Sequence, residues 1–184
     1  MTKPLGTLLV CACLVAPPAG AATKHRAADP DSHVRTSNVR IAEVLDFALT
    51  RSPSFQDLVA TLDFLDRVVY VEEGQCRSRE ARACLNLTAG ASAIVVRIDP
   101  RQPIRAVVAQ LAHELYHAVE IAREPDVAGA AALNALYERI GERRCFDEGE
   151  SCWETRAAVA FEALVVRQVS AAKTAKTAKT AKRP

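Results

Sequence analysis

The stretch Ile104-Arg-Ala-Val-Val-Ala-Gln-Leu-Ala-His113-Glu114-Leu-Tyr-His117-Ala-Val-Glu-Ile-Ala122 decides how the rest of this chain is read. At about 100° per residue, Ile104, Val107, Val108, Leu111, Leu115, Ala118, Val119 and Ala122 fall on one broad apolar stripe, the pattern of a helix with one face in a core. His113 and His117 lie on the opposite face, beside Ala109, Gln110 and Glu120. Two imidazoles one helical turn apart can reach a single cation, and a Glu between them can serve as a base. The H-E-x-x-H ligand set, with metal availability, points to Zn²⁺.

Such a site needs a third protein ligand and keeps its fourth position for water. A third His six residues after the second is excluded, because position 123 is Arg. Glu120 lies one turn beyond His117 and suits a supporting or substrate-side contact better than direct ligation. Glu154 is different. It heads a predicted helix from about Ser151 to Ser170, with Ala158, Phe161 and Val165 on its own face. A carboxylate at the head of a small, apolar face is costly to bury unless it is paired or holds a cation, so Glu154 is the expected third ligand.

With these residues in hand, the chain resembles the gluzincin branch of the zincin metallopeptidases, H-E-x-x-H on one helix and a ligand Glu some tens of residues later. It is also similar to small exported bacterial proteins carrying H-E-L-x-H-A-x-E and E-T-x-A-A segments, here His113 to Glu120 and Glu154 to Ala158. The resemblance implies a peptide or protein substrate. It also implies zinc held by His113, His117 and Glu154, with Glu114 as general base toward water and then as proton donor to the leaving amine. Donors for the developing oxyanion are sought in Tyr116, Tyr137 and Arg156. Larger gluzincins carry N-E-x-x-S-D around the ligand Glu, whereas this chain reads Trp153-Glu-Thr-Arg-Ala-Ala158, which leaves His113 without an assigned supporting acid. The resemblance further implies a sheet edge along the cleft, onto which a peptide adds as an extra strand. Ala93-Ile-Val-Val-Arg-Ile98, just before the Asp99-Pro100 break, is expected to be that edge. The competing reading is a secreted binding or structural protein that keeps the zincin scaffold without useful turnover.

The ends are read separately from the fold. Residues 1–21 carry an apolar stretch from Leu5 to Ala16 and an Ala19-Gly20-Ala21 cleavage pattern, as in a secretory signal peptide. The mature protein is thus expected to be exported, periplasmic or extracellular, with no transmembrane segment. Export leaves Cys76, Cys84, Cys145 and Cys152 for disulfides; of three pairings, Cys76–Cys84 and Cys145–Cys152 each bracket a short polar segment. Residues 22–36 read as a flexible lead in which His25 and His33 are exposed bystanders, and 171–184, an Ala/Lys/Thr repeat, as a disordered tail. The formal net charge of +2 is uneven, since residues 22–172 hold 18 basic and 22 acidic side chains. No nucleic-acid partner is expected.

Residues 37–170 are then one α+β domain, mainly helical, with about five helices and a small sheet. Helices are predicted over 38–50 (Ser37 or Asn38 as cap), 53–65 (Ser52 cap, Pro53 at the first position), 103–123, 127–140 and 151–170; strands over 68–71 and 93–98. In the fourth helix Leu133, Leu136 and Ile140 are expected to face inward, and Gly141 to end it.

Overall fold

The computed structural model describes residues 31–76, 81–88, 90, 92–143 and 153–180. It is an α+β architecture with five helices among those residues. The chain begins with β1 (Val34–Arg35), then α1 (Val39–Leu49) and α2 (Pro53–Asp63), and returns through β2 (Val68–Glu73). Both helices start at the expected caps: Asn38 Oδ1 accepts from Ile41 N–H, and Ser52 Oγ from Phe55 N–H, with Pro53 in the first turn. Those side-chain oxygens satisfy amides that the first turn of a helix leaves unpaired.

The main sheet has the order β1-β2-β4-β3. Strand β4 (Ala93–Ile98) runs parallel to β2, while β3 (Ala83–Leu87) runs antiparallel to β4, with Cys84 opposite Arg97. The strand before the H-E-x-x-H helix is therefore internal rather than an edge; the edges are β1 and, next to β4, β3. Its sequence, Ala-Cys-Leu-Asn-Leu, has little intrinsic strand preference; pairing with the β-branched β4 makes it a strand. The expected Cys76–Cys84 disulfide joins the segment after β2 to this edge. The Cys145–Cys152 pairing lies outside the described residues, as do the signal peptide, His25 and the first part of the lead.

The second part of the lead belongs to the domain. Ser32 and Val34 are buried, and Val34 pairs with Val69. His33 is an anchor rather than a bystander: its Nδ1 lies 2.6 Å from the Leu65 carbonyl, and its backbone N–H donates to Asp63 at 2.7 Å. The polar lead sequence hides this because the strand is only two residues long.

Helix α3 (Ile104–Ala122) crosses the sheet, touching β3 and β4 on one side and α1 and α2 on another. Val107, Val108, Leu111, Leu115 and Ala118 from its predicted stripe are buried. Arg67, itself buried, donates to the carbonyls of Glu124 and Pro125 just past the end of α3, both at 3.2 Å. Helix α4 (Ala130–Ile140) buries Leu136 and Tyr137 but leaves Ile140 largely exposed, so Ile140 does not face inward as expected. A two-stranded ribbon follows, β5 (Glu142–Arg143) pairing antiparallel with β6 (Trp153–Glu154), and leads into α5 (Arg156–Thr180).

Two expectations about α5 are corrected. It begins after Glu154, which stands on β6. It also runs through 171–180, where disorder was expected: Ala and Lys are among the better helix formers, and a helix already nucleated at Arg156 extends through them at little cost. The most extensive helix pairing in the described structure is α3 with α5, so the histidine face of α3 is covered by protein.

Candidate metal centre

Three elements converge on the histidine face of α3: α3 itself, the β6 strand and the first turns of α5. His113 and His117 come one turn apart from α3, with Nε2 atoms 3.2 Å from each other. Glu154 Oε1 lies 3.2 Å from His113 Nε2 and 3.4 Å from His117 Nε2. These three residues form a group that could hold a metal ion. The triangle is nearly equilateral. Donors 2.0–2.1 Å from a tetrahedral centre are separated by about 3.3–3.4 Å, so the donor atoms already stand about where one small divalent cation would need them.

The far side of each imidazole is also fixed. His113 Nδ1 lies 3.0 Å from Glu162 Oε2, and His117 Nδ1 lies 2.7 Å from Glu120 Oε2. An ionised carboxylate only accepts, so each Nδ1 carries a proton and each Nε2 faces the common centre, where it can offer its lone pair to a cation once that nitrogen is deprotonated. Glu120 is held in turn: its Oε1 accepts from the Thr155 hydroxyl at 2.8 Å. The same hydroxyl accepts from Ala158 N–H at 3.1 Å, so Thr155, buried, caps α5 and braces Glu120 at once.

Electrostatics follow from this packing. Burial alone would lower His117, but its bonds to Glu120 and Glu154 and the nearby charges of Glu114 and Glu120 outweigh that and push it up to about 9. His113 is likewise raised, burial opposing and the Glu154 bond and charge prevailing. Burial would raise Glu154, yet the two histidine bonds hold it at about 2. Glu114 accepts none of these bonds; burial raises it, with the two histidines pulling the other way. A carboxyl raised toward neutrality is a better proton acceptor and donor near pH 7 than an ordinary one.

The sequence named His113, His117, Glu114, Glu154 and Glu120, and the fold brings all five together. It named three further residues with mixed results. Tyr137 is buried on α4 with its ring edge-on to His117, centroids 5.5 Å apart, and its hydroxyl is raised by burial and by the charges of Glu120, Glu114 and Glu154. Tyr116 instead packs on Phe161, rings 5.1 Å apart, against the core. Arg156 is exposed and pairs with Glu142 at 2.8 Å. Neither Tyr116 nor Arg156 is placed as an oxyanion donor.

Glu162 and Thr155 were missed. The signal for Glu162 was present: it shares the face of buried Ala158, Val165 and Val169, and an acid on an apolar stripe calls for a partner. Replacing Glu162 with Ala is expected to weaken metal binding about 10- to 100-fold while leaving the fold intact, as titration against a chelator would measure. An unchanged affinity would show that Glu162 does not orient His113.

Gly141 sets the approach of α4 to Glu154. Its backbone, at φ −111°, suits any residue, but an added Cβ would sit 2.9 Å from the Tyr137 carbonyl and 3.1 Å from that of Glu154. It ends α4 as expected, with extended backbone, and it is also a close-contact glycine. Gly141→Ala is expected to cost about 1–3 kcal/mol in thermal or denaturant unfolding and to weaken metal binding, because both obstacles are backbone.

Comparison with known protein families, with curated proteins and with solved structures finds no match for this chain.

Proposed function

We propose that the protein is an exported zinc-dependent metallopeptidase of gluzincin type, a hydrolase acting on peptides or proteins. The observation that carries this reading is the triangle of Nε2, Nε2 and Oε1 atoms with a buried-side Glu114 one residue from the first ligand. The donor set, two imidazoles and one carboxylate, suits Zn²⁺, and an open fourth position distinguishes a catalytic site from a structural one. When bound, zinc supplies Lewis acidity toward water and toward a carbonyl oxygen.

The chain's own residues supply the rest. Glu114 takes a proton from the attacking water and returns it to the departing amine. Glu162 and Glu120 accept from the Nδ1 protons of His113 and His117 and so keep both rings turned with Nε2 toward the centre. Tyr137, beside His117 and kept protonated by burial, is the remaining candidate to donate to the oxyanion. A peptide adds to the outer edge of β3, which has no strand partner among the described residues. Export is supported by the Cys76–Cys84 disulfide.

The deciding experiment is metal analysis of the purified protein beside a cleavage assay on an unfolded protein such as casein. One zinc per chain with chelator-sensitive cleavage supports the reading. Zinc without turnover would favour a binding protein on the same scaffold, and no zinc after supply of the metal would overturn both.

A further inference from the structure

Lysine is distributed in this chain in a way that has nothing to do with the metal centre. Residues 25–172 contain arginine but no lysine, whereas the stretch 173–183 holds Lys173, Lys176, Lys179, Lys182 and Arg183 and no acid. Lys differs from Arg in being a compact, strongly hydrated point charge on a flexible stem, suited to meeting phosphate without a fixed geometry.

The backbone arranges these charges. Helix α5 continues through Thr180, so each three-residue step from Lys173 to Lys176 to Lys179 rises about 4.5 Å and turns about 60° backward. The three positions share a sector of about 120°, one side of the helix. Only Ala and Thr lie between them, and like charges three residues apart disfavour a helix by a few tenths of a kcal/mol. An anionic partner along that side would remove the penalty.

We infer that the basic extension of α5 docks the protein on an anionic phospholipid surface. Nucleic acid is the less suitable occupant: the stretch has no aromatic residue to stack on bases and no Asn or Gln to read their edges. Lysine clusters of four or more are attracted to anionic bilayers by charge alone, and with no large apolar residue here the attachment is reversible and salt-sensitive. Because α5 is continuous with the turn that carries Glu162, docking would hold the metal centre roughly 25 Å along the helix from Lys179. The inference stands independently of the metallopeptidase reading.

The test uses the full mature chain and a variant with Lys173, Lys176, Lys179 and Lys182 changed to Gln and Arg183 to Gln. Both are centrifuged with vesicles of pure phosphatidylcholine or with 30% phosphatidylglycerol added at low ionic strength. The parent is expected to sediment with the anionic vesicles only and to be released by 0.5 M salt. The variant's partition should fall on the order of a thousandfold, at roughly tenfold per 1.4 kcal/mol. Absence of binding by the parent, equal binding by the variant, or tighter binding to duplex DNA of matched phosphate concentration would each overturn it. Zinc content and cleavage are unaffected by these five changes, so the outcome is separable from the fate of the catalytic reading.

Discussion

Replacing Glu154 with Ala is expected to weaken zinc binding several hundredfold without unfolding the domain. Structural zinc sites with four ligands bind with about 10–16 kcal/mol, or roughly 2.5–4 kcal/mol for each, which is about two to three orders of magnitude in affinity. Glu154 lies on the two-residue strand β6 and its carboxylate meets the two histidines rather than the apolar core, so its loss removes a candidate ligand and little core. Competition with a chromophoric chelator measures the change. Affinity within tenfold of the parent would move the third ligand elsewhere, with Glu162 and Glu120 the nearest acids.

The same residues fix how the site responds to pH. In the metal-free protein His117 is raised from 6.5 to about 9, so the stability from its pairing is complete below pH 6.5 and lost as pH climbs through 9. Glu154 is lowered from 4.5 to about 2; its share is complete above pH 4.5 and lost as pH falls through 2. The melting temperature of the metal-free protein should therefore plateau between about pH 4.5 and 6.5 as far as this pair controls it. Metal binding runs the other way. Zinc must displace the His117 proton, so its affinity should rise with pH until about 9 and then level, with proton release measurable in weakly buffered solution.

Glu114→Gln is expected to reduce cleavage by about 10²–10⁴-fold while leaving zinc content at the parent level. The substitution keeps size and hydrogen bonding but removes the group that accepts and returns a proton. Glu114 touches neither histidine in a way that would orient a ligand, and its raised pKa traces first to burial. Activity that survives in a zinc-replete Glu114→Gln protein would assign the base to another residue. Loss of zinc along with activity would recast Glu114 as part of the metal's support.

The two histidines of the candidate metal centre were legible in the sequence because a helix converts spacing into direction. His113, Glu114 and His117 needed only the 3.6-residue period, and Asn38 and Ser52 needed only the local chemistry of helix starts. Glu154 was chosen as a carboxylate heading an apolar helix face, but it stands outside that helix: α5 begins at Arg156, and Glu154 meets the two histidines from β6, a two-residue strand with no periodic pattern to read. The same shortness hid β1 and the anchoring of His33. Edge and interior strands were exchanged because β4, β-branched throughout, announces itself, whereas β3 becomes a strand only against its neighbour. The Glu162 contact to His113 depends on how α5 lies across α3, a tertiary relation that no local period encodes.

The placement of Glu154 on a ribbon, well separated in sequence from the two histidines of a single helix, gives a bound cation a second role as a staple. Joining His117 to Glu154 closes a chain excursion that includes all of α4 and both strands of the ribbon. Closing a loop of that order removes roughly 3–4 kcal/mol of unfolded-chain freedom by the cross-link argument. Occupancy should then be readable far from the donors, as slower amide exchange through α4 and β5 in the metal-loaded protein than in the stripped one.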